Sequence, residues 1–131
     1  MASAFCVYVV DDDESVRKAL SRLLCASGYQ VKAYAQGEQF LAELAPDAVG
    51  CLLLDMTMPK LSGLQTQIRM RELGRDLPVV AVSALDDNQV RERARELGAS
   101  FFLRKPVDDQ ALMDAIAWVS AGDAGTPRAL R

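Results

Sequence analysis

Histidine is absent from all 131 residues, and no other feature of the composition excludes as much chemistry. A histidine general base, histidine metal ligands and a phosphohistidine on this chain are all ruled out. Cysteine is scarce: the three present, Cys6, Cys25 and Cys51, are widely spaced and form no C-x-x-C pair. Each falls in an apolar stretch, so all are read as reduced, structural thiols rather than a redox or zinc site. Aromatic residues make up only 6% of the chain, and 15 basic side chains face 18 acidic ones, for a net charge of −3. That balance argues against a surface built for nucleic acid phosphates. No apolar run approaches the roughly 18 to 20 residues of a membrane span. Met1 to Phe5 carry no basic cluster ahead of an apolar stretch, so neither a secretory signal nor membrane contact is expected. The chemistry left to this chain belongs to carboxylates, hydroxyls, amines and backbone.

What is present has a clear alternation. Five short apolar runs recur along the chain: 5–10, 29–34, 49–54, 78–82 and 100–103. Runs of this length, unbroken by polar residues, fit strands covered on both faces, whereas the alternating run 29–34 fits an edge strand. Between them a helical period appears. Val16, Leu20, Leu23 and Leu24 stripe a first helix with Gly28 as its stop, and Phe40, Leu41 and Leu44 a second, ended near Pro46. Leu64, Ile68 and Leu73 suggest a third, Val90, Ala94 and Leu97 a fourth, and Leu112, Ile116 and Val119 a fifth, with Ala115 and Trp118 alongside. Strands alternating with helices predict an α/β fold, (βα)5, with a doubly wound parallel five-stranded sheet and right-handed crossovers. The length suits one domain, expected over residues 1–121, with 122–131 as a tail or the start of a linker.

In an open parallel sheet the ligand crevice lies beyond the carboxyl ends of the strands. The first run delivers Asp11 and Asp12 there, the third Asp55, the fourth Ser83, and the fifth Lys105 followed by Pro106. Each alone has a plainer explanation: an acidic helix cap, a turn, a second cap, a solvated charge. Together they put capable side chains on one rim from four of the five strands. Three carboxylates converging there repel one another unless a cation sits among them. An all-oxygen donor set without histidine or nearby cysteine argues against zinc and copper. Two carboxylates, a backbone carbonyl and waters suit Mg²⁺. Mg²⁺ with open positions beside a lysine and a hydroxyl is a device for neutralising a phosphoryl group in flight, with an aspartate as acceptor.

Four motifs carry a family likeness: V-V-D-D-D-E-S-V-R (Val9 to Arg17), L-L-L-D-M-T-M-P-K-L-S-G (Leu52 to Gly63), V-V-A-V-S-A (Val79 to Ala84) and K-P (Lys105-Pro106). In this order, at these strand ends, they resemble the receiver domain of bacterial two-component response regulators, especially the FixJ-type regulators of transcription. The resemblance spans roughly Phe5 to Ala121. It implies a flavodoxin-like strand order 2-1-3-4-5, and Asp55 as phosphoacceptor from the phosphohistidine of a sensor kinase. Asp12, Asp55 and the backbone carbonyl of Thr57 would ligate Mg²⁺, with Asp11 close by or acting through water. Lys105 would pair with Asp55 and then with the phosphoryl oxygens, and Ser83 would bond the phosphoryl group and be drawn inward. Phe102 matches the switch aromatic, Pro106 a proline often joined by a cis peptide, and Gly63 a glycine closing the turn after the acceptor.

The resemblance further implies a changed surface at the fourth helix, fifth strand and fifth helix, used for homodimerisation or for an effector domain. It implies a cytoplasmic protein that catalyses only its own phosphorylation and dephosphorylation. DNA would be reached only through an effector domain outside this chain. Val107 stands where an aromatic is frequent. Thr57 and Leu85 stand at positions that influence dephosphorylation, and neither can orient a water as a carboxylate or amide does. A flavodoxin-type carrier is rejected because Asp11-Asp12-Asp13 would repel its phosphate. A haloacid-dehalogenase-type phosphatase normally has an aspartate where Thr57 stands. The competing reading is a metal-independent pseudo-receiver that serves as a protein-interaction module. The arginines at 69, 71, 75, 91, 93 and 95 are read as solvated helix faces, and Met56, Met58 and Met70 as packing or loop residues.

Overall fold

The computed structural model describes residues 5–58 and 61–121. The readings made on the first four residues, on Pro59 and Lys60, and on the tail 122–131 lie outside them. Among the described residues ten elements alternate: β1 Cys6–Val10, α1 Glu14–Ala26, β2 Gln30–Tyr34, α2 Gly37–Glu43, β3 Gly50–Asp55, α3 Gly63–Glu72, β4 Val79–Ser83, α4 Asn88–Glu96, β5 Ala99–Arg104 and α5 Asp109–Ala121. All strand pairings are parallel, in the order β2-β1-β3-β4-β5. The expected (βα)5 doubly wound sheet and its strand order are therefore those of the protein.

The unbroken apolar runs have the expected cause. Every residue of β1, β3 and β4 is buried, because helices cover both faces of the sheet centre. Alternate residues feed two cores. Tyr8, Val10, Leu52, Leu54, Val79 and Ala81 pack with Phe40 of α2, Met70 of α3 and Ala94 of α4. Val7, Val9, Cys51, Leu53, Val80 and Val82 pack with Leu20 and Leu24 of α1 and with Leu112, Ile116 and Val119 of α5. β2 is an edge, as its alternation predicts, and β5 is the other.

Two expectations are corrected here, and one irregularity of the sheet was not foreseen. The buried face of α3 is Thr66, Gln67 and Met70, whereas Leu73, assigned to its apolar stripe, is 49% exposed. That face is hard to read because its two fully buried side chains are polar: Thr66 bonds its own helix at the Ser62 carbonyl, and Gln67 donates to the Ala94 carbonyl of α4. Cys25 is exposed, unlike Cys6 and Cys51, because it sits on the outer side of α1. A bulge also interrupts the β4–β5 pairing between Val79 and Val80, so that Val80 faces Phe101 and Ala81 faces Phe102. A one-residue shift of register exchanges the two faces of a strand. In this register Phe101 meets Trp118 of α5 edge-on at 5.4 Å, and Phe102 joins the core on the α4 side.

Candidate functional site

Strand ends build the rim. β3 and β4 end on Asp55 and Ser83, and Lys105 directly follows β5. Backbone bonds continue the ladder at this end and fix the neighbours: Asp11 N–H to the Tyr34 carbonyl, Met56 N–H to Val82, and Lys105 N–H to Ser83. The aspartate run then divides its work. Asp13 caps α1, accepting the N–H groups of Ser15 and Val16 at 2.9 and 3.2 Å. Asp11 and Asp12 are left for the site, where their carboxylates and that of Asp55 bring oxygens within 4.8 Å of one another.

Asp11 and Asp55 are buried, at 2% and 3% exposure, whereas Asp12 stands open to solvent. Asp11 receives the Asp13 N–H on Oδ1 at 2.9 Å, and its Oδ2 lies 3.0 Å from the Lys105 ammonium. The same ammonium is 3.5 Å from Asp55 Oδ2, so Lys105 bridges the two carboxylates and sits nearer Asp11 than the partner expected for it, Asp55. Asp55 Oδ1 accepts both the N–H and the hydroxyl of Thr57 at 3.0 Å. The sequence suggested Thr57 through its carbonyl and as a position that influences dephosphorylation; its two donors, in addition, steady the acceptor.

Electrostatics follow from this crowding. Burial pushes the Asp11 carboxyl above its ordinary value and Asp55 adds to the effect, against the Asp13 N–H and Lys105. Asp12 is raised as well: its neighbours partly desolvate the carboxyl although it reaches solvent, and the Asp55 carboxylate beside it adds to the effect. Burial works against the Lys105 ammonium, yet the Asp11 and Asp55 carboxylates outweigh it and hold the charge on. Three carboxylates against one ammonium leave an excess of two negative charges, and every donor is oxygen. That donor set fits a hard divalent cation such as Mg²⁺.

The remaining expected residues surround this cluster. Ser83 is 1% exposed and its hydroxyl oxygen accepts the Leu85 N–H at 3.0 Å, which leaves its proton for another partner. The Lys105–Pro106 peptide is cis. Gly63 stands where the loop after the acceptor enters α3, as the first residue of that helix, and is not among the positive-φ glycines. Close approach is what requires glycine there. A Cβ would lie 2.7 Å from Met56 Cα and 2.9 Å from the Asp55 carbonyl oxygen. Gly63→Ala should therefore displace the backbone that carries the acceptor. The expected cost is about 1 to 3 kcal/mol, read as a lower Tm in thermal unfolding. A melting curve identical to that of the parent would count against it.

Sequence reading missed two contacts. Arg17 of α1 donates to the Asp11 carbonyl at 2.8 Å and pins the loop that carries the first two aspartates. Arg91, read as solvated, instead stacks on Phe102.

An acidic rim with one bridging lysine and one hydroxyl, at the strand ends of a 2-1-3-4-5 sheet, defines a class. The sequence profile of the response regulator receiver domain matches residues 7–117, and the chain belongs to that family. Within it, the chain is a receiver of FixJ type. It is similar to the solved structure of FixJ-N, with a TM-score of 0.82 and 33% identity over 91% of this chain and 95% of that one. It is 38% identical to the response regulator protein TmoT of Ectopseudomonas mendocina over 110 residues, covering 84% of this chain and 50% of TmoT. It is 34% identical to the transcriptional regulatory protein FixJ of Rhizobium meliloti, covering 86% of this chain and 55% of FixJ. The chain thus spans about half the length of the curated relatives it matches. Among the described residues no helix is long and apolar enough to cross a membrane.

Proposed function

We propose that this receiver takes a phosphoryl group onto Asp55 from the phosphohistidine of a sensor kinase, in a reaction that depends on Mg²⁺. The observation that carries this reading is the cluster of three carboxylates within 4.8 Å, two of them bridged by one half-buried ammonium. Asp12 and Asp55, with the Thr57 carbonyl, would hold the metal directly. Asp11, held by the Asp13 N–H and Lys105, would stand close by or act through water. When bound, Mg²⁺ supplies positive charge that offsets the carboxylates and the transferring phosphoryl oxygens.

The chain's own residues do the rest. Thr57 holds Asp55 through Oδ1, fixing the carboxylate for in-line approach. An Asp55 oxygen forms the bond to phosphorus as the P–N bond to the kinase's imidazole breaks, the electron pair leaving with the imidazole nitrogen. Lys105 neutralises phosphoryl charge, and the Ser83 hydroxyl donates to a phosphoryl oxygen. The acyl phosphate adds charge and strong acceptors at the rim. Ser83 is thereby drawn inward, and the surface of α4, β5 and α5, with Phe102, takes a second arrangement. Homodimerisation, or an effector segment beyond the receiver (residues 1–121, with 122–131 as a tail or the start of a linker), would read that surface. The setting is cytoplasmic, where sensor kinases keep their phosphohistidine. The test is to incubate the protein with acetyl phosphate and Mg²⁺ and map the label. The expected outcome is one hydroxylamine-sensitive phosphate on the peptide bearing Asp55. A protein that binds no Mg²⁺ at millimolar concentration and takes no label is instead an interaction module.

Lifetime follows from two side chains. The Thr57 hydroxyl is committed to Asp55, and Leu85, 60% exposed, offers no polar atom to an attacking water. The acyl phosphate should therefore hydrolyse slowly. Thr57→Asn combined with Leu85→Glu is expected to shorten its half-life by about tenfold. The decay of the isolated, labelled protein measures it, and an unchanged half-life would contradict the assignment.

A further inference from the structure

Beyond the acidic rim, charged side chains of the β4–α4 loop, α4 and β5 form a chain of ion pairs, one member of which lies over an aromatic ring. Arg91 of α4 places its guanidinium carbon 4.9 Å from the centroid of Phe102. Asp86, in the loop three residues after Ser83, accepts from Arg91 Nη2 at 3.1 Å, and its other oxygen lies 3.5 Å from Arg104 of β5. The other arginines of α4 behave differently: Arg93 pairs with Glu96 and Arg95 with Glu92, within the helix. α4 itself is lightly anchored. Its only buried residue is Ala94, whose carbonyl accepts Gln67 at 3.1 Å.

We propose that Arg91 is a positioning residue, a latch held by Asp86 that retains Phe102 in its unphosphorylated position and so sets the threshold for switching. The proposal rests on the phosphoryl-transfer reading of the rim and names its regulation. Stability alone gives these contacts little purpose. The side chains of Arg91, Asp86 and Arg104 are 39%, 54% and 57% exposed, and ion pairs this open add little to folding. Their arrangement gives them one. Asp86 rides on the loop that follows Ser83, so an inward pull on Ser83 moves the carboxylate that orients the guanidinium. Loss of that support frees the ring. A contact made in only one of two states biases the equilibrium between them by its own strength. A half-exposed cation over a ring is strong enough to shift populations by roughly two- to fivefold.

A cycle of four proteins tests the latch: the parent, Arg91→Gln, Phe102→Leu and the double variant. The initial rate of labelling by acetyl phosphate with Mg²⁺ is the first readout. Arg91→Gln should raise it by roughly two- to fivefold, and Asp86→Asn should act in the same direction. In the Phe102→Leu background, Arg91→Gln should change the rate little, because the ring it acts through is gone. A second readout needs no phosphodonor: NMR of selectively labelled phenylalanine should show the Phe102 ring resonances moved and broadened in Arg91→Gln alone. Equal effects of Arg91→Gln with and without the Phe102 ring, or unmoved ring resonances, would overturn the latch. If the parent takes no label, the reading of the rim fails, and the ring resonances still decide whether Arg91 holds Phe102.

Discussion

Asp55→Asn is expected to take up no label from acetyl phosphate or a phosphorylated kinase, a loss of at least about 100-fold in rate. The substitution is close to isosteric, and the amide oxygen can still accept the Thr57 N–H and hydroxyl that now hold Oδ1 at 3.0 Å. What disappears is the negative oxygen that attacks phosphorus. The same change removes one of the three converging carboxylates, so the excess charge that draws a divalent cation is halved. Mg²⁺ binding should weaken with it. Without metal the folded state should gain rather than lose, because Asp11 and Asp12 no longer face a third like charge. An increase of about 1 kcal/mol in unfolding free energy is the expected size. Label retained on the Asp55→Asn protein would move the acceptor elsewhere and sink the assignment. A lower Tm without metal would show that the Thr57 and Lys105 contacts outweigh the repulsion.

That prediction could be framed from the chain alone, and the reason is physical. A strand buried on both faces is a run of apolar residues, so a polar residue at its end marks where the sheet meets solvent. Asp11, Asp55 and Ser83 each end or follow such a run, and all three are buried in the structure. The alternation of runs and helical stripes left little choice of topology, because parallel strands need crossovers of one hand.

What stayed hidden follows equally simple rules. The buried face of α3 is polar at Thr66 and Gln67, and hydropathy cannot mark a core position whose side chain satisfies itself by hydrogen bonding. The bulge opposite Val79 and Val80 leaves no compositional trace, although it decides that Phe102 rather than Phe101 faces α4. Arg91 was concealed by its neighbours. In an alternating run of arginine and glutamate the three arginines look alike, and only Asp86 and Phe102, from two other segments, single one out. The motif marked Gly63, but not the packing that requires glycine there: the α3 backbone approaches Met56 and Asp55 too closely for a Cβ.

Lys105→Met should separate two properties that loss of fold would lower together. The ammonium lies 3.0 Å from Asp11 Oδ2 and 3.5 Å from Asp55 Oδ2, so it competes with a divalent cation for the same negative charge. Methionine matches its length, carries no charge and suits a side chain only 19% exposed. With the competitor removed, Mg²⁺ should bind about three- to tenfold more tightly, equivalent to roughly 1 kcal/mol of relieved charge competition at a site this close to solvent. Phosphoryl transfer should respond in the opposite sense. The transferring group's oxygens gain charge that Lys105 is positioned to neutralise, and removing one such preorganised charge costs on the order of 100-fold in rate. Calorimetric titration with Mg²⁺ and the initial rate of labelling measure the two effects on the same preparation. Unchanged metal affinity would mean that Lys105 does not share the metal's charge. An unchanged rate would mean that the phosphoryl group never meets it. Tighter metal binding with slower transfer has neither explanation, and it assigns Lys105 to the phosphoryl oxygens rather than to the stability of the rim.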